Sequence, residues 1–299
     1  MSQQTDSQQP VVAVLGLGAM GHAFAANLIK KGFTTRVWNR TSSRGDDLVA
    51  AGAVRGQTPR EAALGADVVI TMLSDGATSL EVYQGDNGLL AGLKQGGIIA
   101  QMGTLGVEGT ESLIELIKAQ RPDVVFFDAP VSGTKAPAEQ AQIVVLASGD
   151  REKGAAIEPV FAAISKATKW LGEAGRASKM KLVVNAWLIA MMEGIAESSQ
   201  LAQELGFTTD ELWNVLEGGP LAAPYIKGKM EMFKSGDYTP QMQLTWALKD
   251  INLAIEAGSQ LELPVMKRIS QTWQGAVDGG YGDQDLAVVY RYLGSKSSD

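Results

Sequence analysis

The sequence predicts an α/β fold, in which a domain with a mainly parallel sheet is followed by an all-α C-terminal domain entered by a long helix. Three observations support this prediction. Short apolar runs alternate with helical patterns through residues 10–172, these runs stop after Gly172, and the stretch 176–197 contains no proline and no glycine before Gly194. Apolar strands that alternate with helices are typical of a parallel sheet covered on both faces.

The first half of the chain carries a series of apolar runs that we interpret as strands. In chain order they lie in "VVAVLGLGAMG", "TTRVWNRT", "DVVITML", "GGIIAQMGT", "DVVFFDAPV", "AQIVVLASGD" and "ATKWLG". Helical patterns fill most of the gaps, for example "AFAANLIKKG" and the segments 109–120 and 151–165. This alternation predicts a sheet built by crossover connections.

The second half of the chain reads as helices. The stretch 176–197 is rich in Met, Leu, Ala and Glu, which favour helix. Further helices are predicted at 209–217, 222–234, 241–260, 264–278 and, more briefly, in "DLAVVYRYL". We therefore predict a disordered tail over residues 1–9, a sheet domain over 10–172 and a helical domain over 173–299.

Composition excludes several kinds of site and partner. The 299 residues include no Cys and one His, which excludes thiolate catalysis, Cys-ligated metal and a His cluster for metal. A net charge of −7 gives no basic surface for nucleic acid or anionic membrane. "MSQQTDSQQP" has neither a basic segment nor an apolar core, so it is not a signal peptide, and no long apolar run predicts a membrane span. We expect a cytoplasmic protein with no metal.

A glycine pattern lies where the first predicted strand meets the first predicted helix. Gly16, Gly18 and Gly21 fit G-x-G-x-x-G, in which the glycines allow a tight turn, close approach to a pyrophosphate and close helix–strand packing. The helix N-terminus adds unpaired N–H groups for phosphate. An ordinary glycine-rich turn is the alternative, but the strand–turn–helix context favours a Rossmann domain that binds a dinucleotide. The predicted cofactor turn comprises Gly16, Leu17, Gly18, Ala19, Met20 and Gly21.

The end of the second predicted strand indicates which dinucleotide binds. NAD-binding domains place Asp or Glu there to hold the ribose hydroxyl. This chain instead has Asn39, Arg40 and Thr41, so no carboxylate repels a 2′-phosphate and a guanidinium is present to pair with it. We therefore predict NADP(H), with a merely solvated Arg40 as the alternative. His22 follows the glycine turn, beside the phosphates rather than the chemistry, and is interpreted as positional.

The loop after "DVVFFDAPV" contains a second candidate binding segment. Ligands of such sheets lie beyond the carboxyl ends of the strands. Ser132 Oγ and the N–H of Gly133 are therefore placed to hold an anionic group of a substrate. Ser-Gly is also a common turn pair, and on its own that interpretation would be preferred.

Several segments together resemble the β-hydroxyacid dehydrogenase family over almost all of residues 10–293. "VLGLGAMG" is similar to its cofactor motif, "DAPVSG" to its substrate-binding segment, "GEAGRASKMKLVVN" to its catalytic segment, and "WALKDINLAIEAG" to a late cofactor-contacting segment. "VWNRT", "MLSD", "KAPAEQ" and "KMKLVVN" are most similar to the glyoxylate and succinic semialdehyde reductase branch. The four motifs occur in the family's order, which is far more specific than any one alone.

The resemblance implies roles for individual residues. It implies that Lys181 is the catalytic general acid, and that Asn185, four residues later on the same helix face, orients the substrate. It implies that Ser132 and Gly133 hold the substrate carboxylate. The remaining implied cofactor contacts are Leu73, Ser74, Thr104 and Lys249.

Three departures from the family's pattern affect substrate identity more than reaction class. The family has Asp-x-Ser-Thr where this chain has Gln101-Met102-Gly103-Thr104, so a hydroxyl is lost at Gly103. Phe24 replaces a usual Met, and Ala177 replaces a usual Gly in the turn before the catalytic Lys.

The resemblance thus implies an NADPH-dependent oxidoreductase acting on a small carboxylated aldehyde or a β- or γ-hydroxyacid, and a homodimer or homotetramer. Two alternatives remain open. An imine reductase shares the fold, although its catalytic position generally holds Asp or Tyr rather than Lys. A non-catalytic NADPH-binding module is the other, and the presence of Lys181 argues against it.

Overall fold

The computed structural model describes residues 9–296, so the predicted tail lies outside the described residues except for Gln9. The chain divides into two compact units, Met1–Lys181 and Leu182–Asp299, and each is described by itself.

The first unit is built on a six-stranded sheet in which all neighbouring strands are parallel. Its strands are β1 (Val12–Leu15), β2 (Thr35–Trp38), β3 (Val54–Arg55), β4 (Val68–Thr71), β5 (Ile98–Gln101) and β6 (Val125–Asp128). The spatial order is β3-β2-β1-β4-β5-β6, so the connections reverse direction at β1. The carboxyl ends of β1, β2 and β4 therefore border the crevice in which such sheets bind their ligands.

A smaller sheet follows within the same unit. Its strands are β7 (Val131–Ser132), β8 (Ile143–Ala147) and β9 (Ser165–Trp170). The β7–β8 pair is antiparallel and the β8–β9 pair is parallel, so the prediction of a mainly parallel sheet is confirmed. The sequence analysis did not predict β3 or separate β7 from the loop, because two residues carry no measurable periodicity.

Helices cover both faces of the large sheet. They are α1 (Ala19–Lys30), α2 (Asp46–Ala50), α3 (Pro59–Ala63), α4 (Gly76–Tyr83), α5 (Leu89–Gly92), α6 (Gly106–Gln120), α7 (Lys135–Glu139) and α8 (Ile157–Ile164), with a 3-10 turn at Ser42–Gly45 before α2. All four residues of β1 are buried, as expected for a strand covered on both faces. Val14 and Phe24 lie in one core cluster, whereas Leu15 and Tyr83 lie in the other.

One predicted helix of the first unit was too long. The pattern at 151–165 predicted a single helix, but α8 begins only at Ile157 and Ser165 already starts β9. Residues 151–156 form turns instead. Gly154 packs so closely on the ring of Phe127 that a Cβ atom would overlap it, and glycine disfavours a helix interior.

The second unit is helical over its described residues, as predicted, with one isolated β-bridge between Gln243 and Asp285. The long helix α9 (Arg176–Glu204) passes through the boundary between the units. It is followed by α10 (Thr209–Leu216), α11 (Pro224–Ser235), α12 (Leu244–Ala257), α13 (Pro264–Ala276) and α14 (Val289–Lys296), with a π-turn at Val277–Tyr281 and a 3-10 turn at Leu286–Val288.

The ends of these helices follow local rules. Thr208 forms a capping box with Glu211 at the start of α10, and Gly236 ends α11 in the left-handed conformation. The unit's core centres on the fully buried Trp273 of α13, together with residues such as Ile189 and Ile251. Among residues 9–296, no helix is both long enough and apolar enough to cross a membrane.

Candidate active site

The glycine turn between β1 and α1 has the geometry that its sequence predicts. Gly16 has φ of 96°, and a Cβ atom there would overlap the carbonyl oxygen of Met72. A Cβ atom at Gly21 would overlap the carbonyl oxygen of Gly16, so the third glycine lets α1 pack against the turn. Gly18, by contrast, faces open space and is the N-cap of α1 without any side-chain cap. Only Gly18 therefore faces the space that a pyrophosphate requires.

Asn39 connects this turn to the end of β2. Its Oδ1 accepts a hydrogen bond from the backbone N–H of Leu17 at 2.9 Å, and its Nδ2 donates to the carbonyl of Thr41 at 2.9 Å. The amide thus fixes two parts of the predicted cofactor site relative to each other. Arg40 and Thr41 are exposed, whereas Ala19 and Met20 lie in the first turn of α1.

A pocket of about 300 Å³ opens at the carboxyl ends of β2 and β3. It is lined by Leu17, Val37, Trp38, Asn39, Arg40, Ser42, Arg55, Gly56 and Gln57. The sequence analysis found Leu17, Asn39 and Arg40 but missed Arg55, because β3 is too short to recognise as a strand of the sheet. His22 lies apart from this lining, and its Nε2 is 2.7 Å from Oδ2 of Asp47 on α2.

The segments after β4 and β5 meet beside the glycine turn. A Cβ atom at Gly16 would lie 3.1 Å from a side-chain carbon of Leu73, and a Cβ atom at Gly103 would overlap the Leu73 carbonyl oxygen. The Gln101 side chain folds back on Gly103, accepting from its N–H at 2.6 Å and donating to its carbonyl at 2.8 Å. Close backbone contact therefore leaves no room for a side chain at position 103. Thr104 follows directly and is half-buried.

Ser74 lies next to the cap of α4. Its hydroxyl donates to Oδ2 of Asp75 at 2.5 Å, while Oδ1 of Asp75 accepts from the N–H of Thr78 at 2.8 Å. The loop that carries Leu73 and Ser74 is thus fixed by a helix cap.

Ser132 and Gly133 lie where β7 ends. Ser132 pairs with Val144 of β8 and is half-buried. Gly133 has φ of 137°, and a Cβ atom there would lie 2.7 Å from the side chain of Ile143. This position therefore requires glycine, which fixes the path of the backbone immediately after Ser132.

A buried carboxylate that the sequence analysis did not assign holds the start of α9. Asp128, the last residue of β6, accepts from the hydroxyl of Ser178 at 2.6 Å and from its N–H at 2.8 Å. Ser148 Oγ accepts a hydrogen bond from the N–H of Ala177 at 3.0 Å, and Ala177 is fully buried. Burial raises the pKa of the Asp128 carboxyl, although hydrogen bonds from Ser178 and Ser148 act in the opposite direction. The first turn of α9 is thereby fixed to the end of β6.

Lys181 follows this fixed turn on α9 and is half-buried. Lys179 differs from it, because its Nζ is 3.1 Å from Oε1 of Glu111 in an ion pair whose side chains are both more than half exposed. Lys179 is therefore solvated and paired with a surface carboxylate.

In the second unit, Asn185 and Lys249 are joined through a residue that the sequence analysis missed. The buried Asn185 donates from Nδ2 to Oδ2 of Asp250 at 2.5 Å, and Lys249 Nζ lies 2.8 Å from Oδ1 of the same carboxylate. The adjacent letters "KD" within the apolar pattern of α12 were the available signal for Asp250. The Asn185 amide is thus held in place through its Nδ2 by Asp250.

Comparisons with known proteins give the family. Residues 11–172 match the model of the NAD binding domain of 6-phosphogluconate dehydrogenase, and residues 175–293 match the model for NAD-binding of NADP-dependent 3-hydroxyisobutyrate dehydrogenase. Glyoxylate/succinic semialdehyde reductase 1 of Arabidopsis thaliana is 35% identical over 93% of this chain and 96% of its own length. The chain belongs to the β-hydroxyacid dehydrogenase family.

Solved structures agree with this assignment at the level of fold. A 3-hydroxyisobutyrate dehydrogenase from Salmonella typhimurium superposes with a TM-score of 0.85 at 23% identity, covering 94% of this chain and 99% of that one. A reductive aminase from Aspergillus terreus in complex with NADPH and ethyl levulinate gives 0.62 at 25% identity, covering 95% and 99%.

Family membership makes the chain an NAD(P)-dependent oxidoreductase related to hydroxyacid dehydrogenases, and its cofactor is NADP(H). The residues of this member of the β-hydroxyacid dehydrogenase family fit that cofactor. The glycine turn leaves open space at Gly18, and the pocket at β2 and β3 is lined by two arginines, a residue type that pairs with phosphate.

Proposed function

We propose that this protein is an NADPH-dependent reductase of small carboxylated aldehydes, such as succinic semialdehyde or glyoxylate, with the corresponding hydroxyacid as product. The observation that carries the proposal is the placement of Lys181 on α9, one turn after the residues that Asp128 holds. The 35% identity to a glyoxylate/succinic semialdehyde reductase supports the substrate class.

Lys181 is proposed as the general acid. NADPH, when bound, supplies the hydride that reduces the carbonyl carbon. The carbonyl oxygen then gains negative charge, which a Lys ammonium stabilises before donating its proton to that oxygen. Fixing the first turn of α9 limits the positions that the Lys181 side chain can reach, and a general acid must be held close to its acceptor.

The other site residues are proposed to bind. Ser132 Oγ and the N–H of Gly133 hold the substrate carboxylate, and Asn185 orients the substrate through its Oδ1. Lys249 contacts the cofactor and is held by Asp250 at 2.8 Å. The remaining proposed cofactor contacts are Gly16, Leu17, Gly18, Ala19, Met20, Gly21, Asn39, Arg40, Thr41, Leu73, Ser74 and Thr104.

The setting of the protein is part of the same proposal. We infer residues 173–299 to be the domain for substrate binding and oligomerisation, in a cytoplasmic homodimer or homotetramer. The net charge of −7 supports the expectation that neither nucleic acid nor membrane is a partner.

Imine reduction is the second candidate function, because a reductive aminase shares the fold and 25% of the sequence. The higher identity to the glyoxylate/succinic semialdehyde reductase, 35% against 25%, favours carbonyl reduction.

The test combines a substrate panel with a pair of lysine variants. NADPH consumption is followed with succinic semialdehyde, glyoxylate, an uncharged aldehyde of similar length and a cyclic imine. We expect carboxylated aldehydes to give the highest kcat/KM. Lys181→Ala should lower kcat by at least about 100-fold, because a positioned general acid contributes about 10²- to 10⁴-fold.

Lys179→Ala is the matched control, since it removes the same charge from the same helix two residues away. It should retain activity, and both variants should bind NADPH in calorimetry. Equal losses in the two variants, or activity restricted to imines, would contradict the proposal. The absence of activity on every substrate would instead favour a non-catalytic NADPH-binding module.

A further inference from the structure

We propose that Arg55 is a second arginine for the 2′-phosphate of NADP(H), held beside the pocket by Asp46, and that it sets the preference for NADP(H) over NAD(H) together with Arg40. The inference rests on the proposed role of Arg40, and the experiment below separates the two.

The topology of the sheet places Arg55 at the same edge as Arg40. Arg55 is the last residue of β3 and lies opposite Val37 in the parallel β2–β3 pair. Arg40 follows the end of β2. Both arginines line the pocket of about 300 Å³, and Ser42 lines it as well. Two guanidinium groups and one hydroxyl match the three oxygens of a terminal phosphate.

The present partner of Arg55 is one that a phosphate can replace. Arg55 Nη2 lies 2.6 Å from Oδ1 of Asp46, and the Asp46 side chain is 67% exposed whereas that of Arg55 is 25% exposed. An ion pair with so exposed a carboxylate is weak, because water screens it and competes for both groups. A phosphate monoester brings a charge of roughly −2 and three strong acceptor oxygens. Moving Arg55 from Asp46 to such a group therefore costs little and gains a charge-assisted contact.

The charge of the ligand decides whether Arg55 leaves Asp46. The 2′-hydroxyl of NAD(H) is neutral and gains little from Arg55, so the ion pair with Asp46 persists beside it. The 2′-phosphate of NADP(H) competes with Asp46 for the same guanidinium. The pocket thus discriminates by which ligand can take Arg55 from its carboxylate.

Binding without turnover tests the assignment. NADP+ and NAD+ affinities are measured by calorimetry on the full-length protein and on Arg55→Gln, Asp46→Asn, Arg40→Gln and Arg44→Gln, with thermal melts of each. Arg44 is the matched control, because it lies in the Ser42–Gly45 turn beside the pocket, is exposed and is not part of the pocket lining.

We expect Arg55→Gln to weaken NADP+ binding by about 10-fold or more while NAD+ binding and melting temperature stay unchanged. Asp46→Asn should strengthen NADP+ binding, because Arg55 loses its competing partner. Arg44→Gln should change neither affinity.

Several results would overturn the assignment. Equal losses of NADP+ affinity in Arg55→Gln and Arg44→Gln would show only a general charge effect. Equal losses of NADP+ and NAD+ in Arg55→Gln would show a structural role. An unchanged NADP+ affinity in Asp46→Asn would overturn the assignment even if Arg55→Gln failed to fold. If Arg40→Gln abolished the preference for NADP+ and Arg55→Gln did not change it, the proposed role of Arg40 would stand and that of Arg55 would be excluded. If neither variant changed the preference, both proposed roles would be excluded.

Discussion

Replacing Glu193 by Gln should make stability less dependent on pH. Glu193 of α9 is 6% exposed, and its Oε2 accepts a hydrogen bond from Nε1 of Trp273 at 2.6 Å. Burial raises the pKa of Glu193 from 4.5 to about 7, nearby Glu197 adds to the rise, and the Trp273 hydrogen bond and Arg268 oppose it. The folded carboxyl therefore holds its proton more tightly than the unfolded one.

The sign and size of the effect follow from linkage. The stabilising contribution of the raised pKa is complete below pH 4.5 and is lost as the pH rises through about 7. The rise of the Glu193 pKa from 4.5 to about 7 corresponds to about 3 kcal/mol, at roughly 1.36 kcal/mol for each unit of pKa. Gln is neutral at every pH and keeps an acceptor oxygen for Trp273. The Gln variant should thus gain roughly 2–3 kcal/mol relative to wild type between pH 5 and pH 8.5.

Urea unfolding followed by tryptophan fluorescence at these two pH values measures the difference. Glu204→Gln is the matched control, because Glu204 lies on the same helix α9, is exposed and does not act on Glu193. If wild type and Glu193→Gln differed in unfolding free energy by the same amount at both pH values, burial would not control this carboxyl.

Two further predictions concern the site. Gly21→Ala should lower both the melting temperature and the NADP+ affinity, because its Cβ would overlap the Gly16 carbonyl oxygen. Gly18→Ala should lower the affinity alone, because its Cβ faces open space. Equal losses of melting temperature in the two variants would contradict this prediction. Ser132→Ala should raise KM for succinic semialdehyde more than for an uncharged aldehyde of similar length, and a matched rise for both would show that the hydroxyl does not bind the carboxylate.

Much of the fold was predictable because most of its strands are continuous apolar runs and its glycine turn is a local pattern. The features that escaped prediction are short or non-local. The strand β3 has two residues, so Arg55 could not be placed in the sheet from periodicity. The 151–165 segment has helical spacing, but its contact with Phe127 cannot be read from spacing.

The buried carboxylates escaped prediction for a related reason. Asp128 meets Ser178 across 50 residues, and Asp250 meets Asn185 across 65. No local pattern joins such positions, so each carboxylate looked like a single polar residue beside an apolar run. Their partners became visible only when the helices were packed.

The backbone contact between Gly103 and Leu73 restricts how this loop can evolve. A Ser side chain at position 103 would overlap the Leu73 carbonyl oxygen, and Gln101 already occupies both backbone polar groups of Gly103. Gly103→Ser is therefore expected to destabilise this segment unless the loop after β4 shifts at the same time. The effect of a substitution at position 103 should thus depend on the sequence around Leu73, so the two segments are expected to be energetically coupled.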